Sequence, residues 1–262
     1  MTRVVRAELA LLTRRWVVTA AAVAAVAFAA ITTLASVLSA QPAGSSPPGR
    51  GITVEALSAV GGATQAFRVG TGFLGVVVLV IFAARMAGEF SHGTLRTLLL
   101  HEPRRLRVVA GKVLALVVFA AATLAAAAVF SVLLALALAP SQGISTTEWF
   151  GMDGLGAAAG DYLSALAGVA AWAVYGTLLA VLVRSVPVAV GVAVAWAGPF
   201  EHLLGQAWST AIRFLPGLQV EALAAGGTTD VSYRHALALT LAYVATALCA
   251  GLFSLWRRDI TA

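Results

Sequence analysis

A stretch of mixed charge between two apolar runs holds many of the side chains that could do chemistry. Residues 85–112 contain the acid Glu89, the histidine His92 and several basic residues that lead to Lys112, the single lysine of the chain. Ionised groups and imidazoles can recognise a charged partner, hold a metal ion or transfer a proton. The remaining motifs of the chain decide among these possibilities.

A catalytic or metal-binding constellation is not evident in the sequence. Neither an HExxH nor a GxSxG pattern occurs, and Ala110–Gly111–Lys112 matches only the tail of a Walker A motif. Leu106 stands where that motif needs its first glycine, and Val113 stands where it needs Ser or Thr. We therefore expect no enzyme activity and no resident cofactor, and any ATP hydrolysis would belong to another chain.

The composition places these residues in a membrane protein. Of 262 residues 60% are hydrophobic and 11% are charged, whereas a soluble domain carries about 25% charged residues. A spanning helix needs about 20 apolar residues. Six runs meet or approach this length, and we predict a single all-α transmembrane domain with spans at 17–39, 69–87, 113–139, 162–183, 186–204 and 236–256.

Basic residues indicate how the spans are oriented. With both termini in the cytoplasm, 13 of the 17 basic residues lie inside, namely Arg3, Arg6, Arg14, Arg15, Arg85, Arg96, Arg104, Arg105, Arg107, Lys112, Arg184, Arg257 and Arg258. Cytoplasmic loops carry such an excess of Lys and Arg. We therefore expect a multi-pass protein of a cell membrane, from a bacterium by its composition, that contacts lipid headgroups and binds no nucleic acid. On this topology two histidines lie inside and two outside, which argues against one metal site.

Two polar segments flank the cytoplasmic side of the predicted bundle. Residues 1–16 form an amphipathic interfacial helix, with Val5, Leu9, Leu12 and Trp16 on one stripe. The connection between spans two and three is the only sizeable cytoplasmic loop. Within it, Leu95, Leu98 and Leu99 share one helical face, and Pro103 limits the helix.

The outer side is predicted to consist of three loops, at 40–68, 140–160 and 200–235. The fifth span is expected to end early, because Gly198–Pro199 interrupts it just before Glu201. In the third loop Pro216–Gly217 indicates a re-entrant segment or a short two-helix cap. The spans carry almost no ionisable residue at mid-membrane depth, which disfavours an ion-driven pump. Trp172, Tyr175 and Trp196 are candidate residues of a substrate path, although packing roles explain them as well.

The sequence EFSHGTLRTLLLHEPRRLRVVAGK at 89–112 resembles the signature region of ABC exporter permeases of the ABC-2 type, such as the bacitracin, lantibiotic and copper-maturation permeases. The similar features are the acid, Gly–Thr, the leucines, the proline, the basic residues and the final lysine. Ala7–Glu8 before Arg14–Arg15, Leu215–Pro216–Gly217, and the Trp256–Arg257–Arg258–Asp259 ending extend the resemblance over nearly the whole chain.

This resemblance implies a permease subunit that works with a second permease chain and with two copies of a separate ATPase, which would hold ATP and Mg²⁺. It implies that the loop after span two is a coupling helix that docks on the ATPase. The docking residues would be Glu89, His92, Gly93, Thr94, Arg96, Leu98 and Pro103, with Glu8, Arg104, Arg105 and Lys112 at the cytoplasmic interface. Glu89 would contact the ATPase or brace the inner gate.

Two other functions are compatible with the same sequence. A six-span structural or regulatory membrane protein without transport would show the same hydropathy and the same charge asymmetry. An intramembrane enzyme is a further alternative, against which the missing catalytic motifs argue. The identity of a transported substrate does not follow from spans rich in Ala, Val, Leu and Gly, because small residues also serve helix packing.

Overall fold

Six helices of this chain are long and apolar enough to cross a membrane. The computed structural model describes residues 2–42, 52–92 and 105–257. The candidate spans are Arg15–Leu38, Leu74–Ser91, Arg107–Gln142, Met152–Val183, Val186–Ala207 and Tyr233–Ser254. The predicted fold class is confirmed: the described chain is an α-helical multi-pass membrane protein.

Ten α-helices are present in the described ranges, together with short 3-10 turns at Ala139–Gln142 and Ser209–Arg213 and a π turn at Trp196–Phe200. In chain order they are α1 (Thr2–Leu12), α2 (Arg15–Leu38), α3 (Val54–Ser58), α4 (Gly62–Ser91), α5 (Arg105–Leu138), α6 (Met152–Val183), α7 (Val186–Ala195), α8 (Glu201–Ala207), α9 (Pro216–Ala224) and α10 (Tyr233–Arg257). The coupling helix predicted between spans two and three falls on residues 93–104, which lie outside the described residues.

The helices α4 and α6 extend beyond the predicted spans on the side of the predicted outer loops. Helix α4 begins at Gly62, and α6 begins at Met152, within segments that the sequence placed in loops. At the start of α6, Gly151 takes the N-cap position, and Asp153 lies in the first turn, where a carboxylate is favoured by the helix dipole.

The fifth span, predicted at 186–204, continues through Gly198–Pro199, where the sequence indicated an early end. A π turn over Trp196–Phe200 contains Pro199, and the chain continues as α8. A proline ring clashes with the carbonyl four residues earlier in a regular α-helix, so the wider turn relieves this clash. As a result, Glu201 lies on the continuation of the span rather than in an outer loop.

The first helix has the predicted amphipathic character. Val5, Leu9 and Leu12 pack against the start of α5 around Leu116, while Arg6 is exposed. Trp16 does not belong to this stripe, because the chain turns at residues 13–14 and Trp16 lies on α2 with 70% of its surface exposed.

Helices α4 and α6 form the most extensive pair, and they run in the same direction. Thr64 Oγ1 donates to Asp161 Oδ2 at 2.6 Å, and further along the pair the Trp172 indole lies over Gly75. At Gly176 the backbones approach so closely that an added Cβ would lie 2.8 Å from the Leu79 carbonyl oxygen. Small residues at a membrane helix interface permit such contact.

The short helix α9 is packed into this pair. Its Val220 is fully buried in the same apolar cluster as Leu79 and Trp172. Its Gln219, also fully buried, donates from Nε2 to the Ile212 carbonyl at 2.7 Å. The predicted third outer segment therefore contains a helix embedded among α4, α6 and α10.

Candidate functional site

Four ionised side chains from three helices form an ion-pair cluster at one end of the bundle. Lys112 Nζ of α5 lies 2.9 Å from Glu8 Oε2 of α1 and 3.1 Å from Glu89 Oε1 of α4. Arg85 NH2 of α4 lies 3.0 Å from the other oxygen of Glu8. We call Glu8, Arg85, Glu89 and Lys112 the ion-pair cluster; its two acids and two bases balance.

The pairs within this cluster differ in burial. The side chains of Lys112 and Glu8 are 5% and 7% exposed, that of Glu89 is 20% exposed and that of Arg85 is 48% exposed. Taking a charge out of water costs several kcal/mol unless it is paired in good geometry. The ammonium of Lys112 meets this requirement by contacting two carboxylates, and Glu8 meets it by contacting two cations.

The ion-pair cluster joins the two helices that precede and follow the segment 93–104. Helix α4 ends at Ser91, with His92 as its C-cap, and α5 begins at Arg105. Glu89 therefore precedes the segment closely and Lys112 follows it closely, so their contact joins its two ends. Glu8 extends this connection from α4 and α5 to α1.

The connection between α6 and α7 lies beside the same end of α4. Arg184 caps α6 in a left-handed conformation with φ 55°. Its carbonyl accepts a hydrogen bond from Ser91 Oγ at 3.1 Å, and its guanidinium lies 5.5 Å from the centre of the Phe90 ring. The α6–α7 connection therefore contacts the same end of α4 that carries Glu89.

The remaining predicted site residues differ in burial, and several of them lie outside the described residues. His92 is exposed, with Nδ1 2.8 Å from the Gly88 carbonyl oxygen. Arg105 is the first residue of α5. The predicted docking and interface residues Gly93, Thr94, Arg96, Leu98, Pro103 and Arg104 lie outside the described residues. Glu8 and Lys112, predicted at the cytoplasmic interface, are nearly covered and contact one another.

The three aromatic residues predicted as a candidate path, Trp172, Tyr175 and Trp196, contact one another. Trp172 and Tyr175 lie with ring centres 5.8 Å apart, and Trp196 lies 6.3 Å from Trp172 and 5.8 Å from Tyr175. The two contacts of Trp172 are edge-on, an arrangement that stabilises aromatic packing. A narrow cavity borders Trp172 between α4, α5, α6 and α9 and is lined by Thr71, Gly75, Gly168 and Ala224.

A buried carboxylate next to these rings was missed by sequence reasoning. Glu201 is 1% exposed, and its two oxygens accept hydrogen bonds from Trp196 Nε1 and from the Leu218 backbone nitrogen, the latter at 2.9 Å. Leu218 lies in the first turn of α9, so Glu201 satisfies an N–H group that a helix start leaves unpaired. The available signal was an acid five residues after Trp196, visible only if the helix is continued through Pro199.

A second acid extends this region to the surface. Glu221 Oε2 lies 3.2 Å from His202 Nε2, with side-chain exposures of 18% and 47%. Burial raises the pKa of the Glu221 carboxyl from 4.5 to about 7; the nearby His202 lowers that pKa and the nearby Glu201 adds to the rise. We call Trp196, Glu201, His202 and Glu221 the capping cluster, because it joins α8 to the start and middle of α9.

The two clusters lie at different levels of the bundle, because Val186 at the start of α7 is beside Gly88 of α4, next to Glu89 of the ion-pair cluster. Fifteen residues separate Val186, which starts α7, from Glu201, and at about 1.5 Å per helical residue this distance is about 22 Å. Among the described residues no group of three or more His, Cys, Asp or Glu side chains could hold a metal ion.

Comparison with protein-family models finds no match to this chain, and comparison with curated proteins finds none either.

Proposed function

We propose that the chain is the membrane-spanning subunit of an ATP-driven ABC exporter of the ABC-2 type. In this role it pairs with a second permease chain, identical or homologous, and the two chains enclose the path of an outward-moving substrate. A separate ATPase, present in two copies, binds the segment 93–104 and supplies the energy. The proposal rests on the resemblance of residues 89–112 and on the six spanning helices.

The observation that carries the proposal furthest is the ion-pair cluster at the base of the segment. A docking segment transmits force only if its ends are fixed to the elements that must move. The contacts of Lys112 with Glu89 and Glu8 fix these ends to α4, α5 and α1 through charges that are mostly withdrawn from water. A plain solvated connector has no need of this arrangement.

The charge around the cluster supports an acidic partner surface. Arg6, Arg14, Arg15 and Arg107 are exposed on or near the helices that carry the cluster. Complementary potentials guide two proteins into register and accelerate their association. The same arginines also suit contact with anionic lipid headgroups, and the two contacts can coexist on one face.

Affinity purification from the native host tests the proposal. The tagged chain, extracted in mild detergent, is expected to retain a subunit with a Walker A motif in about equal amount, because the family resemblance implies one ATPase for each permease. The lone cysteine is first replaced by Cys249→Ala, and a single cysteine is then introduced by Thr94→Cys. A short bifunctional reagent should link this position to the ATPase.

A matched variant at the opposite end of the helical bundle controls for random cross-linking. Asp153→Cys is exposed at the start of α6 and should give no cross-link to the ATPase. If no such subunit is retained, or if both cysteines cross-link to it equally, the proposed docking is wrong.

Accessibility to a membrane-impermeant thiol reagent checks the orientation on which the proposal depends. In intact cells we expect labelling at Asp153→Cys and none at His92→Cys until the membrane is permeabilised. The reverse pattern would place the ion-pair cluster outside and exclude an ATP-driven partner there.

A further inference from the structure

The imidazole of His202 is bracketed by two groups that accept hydrogen bonds. Its Nδ1 lies 2.8 Å from the Gly198 carbonyl oxygen, and its Nε2 lies 3.2 Å from Glu221 Oε2. A carbonyl oxygen can only accept, so Nδ1 must carry a hydrogen. A neutral imidazole has one N–H group, and that hydrogen is already used. The contact with Glu221 therefore needs a second hydrogen, located either on Nε2 or on the carboxyl group.

Without that second hydrogen the contact is repulsive. A lone pair of Nε2 would face an ionised carboxylate, and the carboxylate of Glu201 lies close enough to act on Glu221 as well. Glu201 directs its two oxygens to other donors, Trp196 Nε1 and the Leu218 backbone nitrogen. The three side chains therefore favour the retention of one proton between α8 and α9.

The other titratable groups on the neighbouring helices have partners of their own. On α10, His235 Nε2 contacts the Arg213 carbonyl and the Tyr243 hydroxyl donates to the Phe214 carbonyl; on α4, Arg68 pairs with Asp161 of α6 at 3.8 Å. The exception is Tyr175 of α6, whose buried hydroxyl has no hydrogen-bond partner among the described residues. The groups whose charges act on Glu221 are His202 and Glu201, both on α8.

We infer that His202 and Glu221 form a proton-binding site that latches α9 to α8. One proton, shared by Nε2 and the carboxyl oxygen, links the two helices, and its loss leaves a lone pair and a carboxylate facing one another. The inference concerns this chain's own stability and does not depend on an ATPase partner.

The sign of the pH effect follows from the direction of the pKa change. Burial raises the pKa of Glu221 to about 7 in the folded chain, so the carboxyl binds its proton more tightly when folded than when unfolded. The resulting stabilisation is complete below the ordinary pKa of a glutamate and is lost as the pH rises through about 7. The latch is therefore closed in mildly acidic surroundings and weakened in alkaline ones.

Hydrogen exchange on the purified full-length chain in detergent micelles tests the site. After correction for the intrinsic exchange rate, peptides from α9 should lose about tenfold in protection between about pH 6 and about pH 8, because a site with a pKa near 7 is vacated over that interval. Peptides from α2, which has no contact with the pair, serve as the internal reference and should not change.

Two substitutions at the pair should remove this pH dependence. In Glu221→Gln the amide donates an N–H to Nε2 at every pH, and in Glu221→Met the titrating carboxyl is removed outright. Each should leave α9 equally protected at both pH values, and the second serves if the first does not fold. Glu148→Gln removes an exposed acid elsewhere in the chain and should retain the tenfold loss.

Two results would overturn the inference. One is a wild-type α9 whose protection is unchanged between the two pH values. The other is a full loss of protection that persists in Glu221→Gln or in Glu221→Met, since the proton would then bind elsewhere.

Discussion

The ion-pair cluster and the capping cluster both bury a carboxylate, but they satisfy it with different chemistry. Glu8 is 5% exposed and contacts two cations, whereas Glu201 is 1% exposed and accepts from an indole and a backbone N–H. The first arrangement joins three long helices through full charges. The second joins the fifth span to a short helix through neutral donors.

This difference assigns different tasks to the two ends of the bundle. Breaking a buried ion pair is costly, because the loss of one partner leaves an uncompensated buried charge, so the ion-pair cluster suits a rigid base for a docking segment. Losing a neutral hydrogen bond changes the free energy of unfolding by less than losing a buried charge. The proton shared by His202 and Glu221 also makes this contact depend on pH. The capping cluster therefore suits an adjustable contact around α9.

The largest expected effect is the removal of the buried cation. Lys112→Met leaves Glu89 without its contact to Lys112 and leaves Glu8 with Arg85 alone, and we expect a loss of about 3–5 kcal/mol in the free energy of unfolding. Titration with a denaturing detergent in mixed micelles measures it.

The matched control removes the other cation that contacts the Glu8 carboxylate, at nearly the same distance as Lys112. Arg85→Gln removes the half-exposed partner of Glu8, which lies 3.0 Å away compared with 2.9 Å for Lys112. Water screens exposed pairs, so the loss should be about 0–1 kcal/mol. Equal losses in the two variants would show that burial does not distinguish these pairs.

An intermediate effect is expected from the capping cluster. Glu201→Gln preserves the shape of the side chain but replaces one accepting oxygen with an N–H₂ group, so either Trp196 or Leu218 loses its acceptor. A buried donor left without a partner costs about 1–3 kcal/mol. The same titration measures the stability, and the loss should be concentrated in reduced hydrogen-exchange protection of α9. A loss as large as that of Lys112→Met would contradict the contrast between ionic and neutral support.

The smallest loss in the free energy of unfolding is expected when an ordinary neutral hydrogen bond inside the bundle is removed. The hydroxyls of Thr33 on α2 and Ser131 on α5 lie 2.8 Å apart and are fully buried. Thr33→Val should cost about 0.6 kcal/mol, a typical value for a polar contact between membrane helices. Thr19→Val on the exposed part of α2 should cost less. A loss above that of Glu201→Gln would reverse the expected order.

Much of the architecture was predictable because hydropathy acts locally. Each apolar run is long enough to specify a helix by itself, and the stripe of Val5, Leu9 and Leu12 specified α1 in the same way. The helix limits were less predictable. Glycine and proline at 198–199 ordinarily end a helix, and a π turn that accommodates Pro199 has no local signature.

The candidate sites were only partly predictable because their partners are distant in sequence. Glu8 and Lys112 are separated by 104 residues, and Glu201 and Leu218 by 17. Charge patterning placed the basic residues near one side of the bundle but did not pair Lys112 with Glu8 and Glu89. Glu201 was assigned to an outer loop, because its burial depends on α9 packing against it.

The rate of ATP hydrolysis by the purified complex of this chain with its ATPase tests the central claim most directly. Glu89→Arg places a cation beside Lys112 and should open the base of the docking segment, so hydrolysis should fall several-fold while the amount of bound ATPase is unchanged. Glu148→Gln, which removes an exposed acid that has no predicted docking role, should leave the rate unaltered. If no ATPase is bound, or if Glu89→Arg hydrolyses ATP at the wild-type rate, the proposed transmission through the ion-pair cluster is wrong.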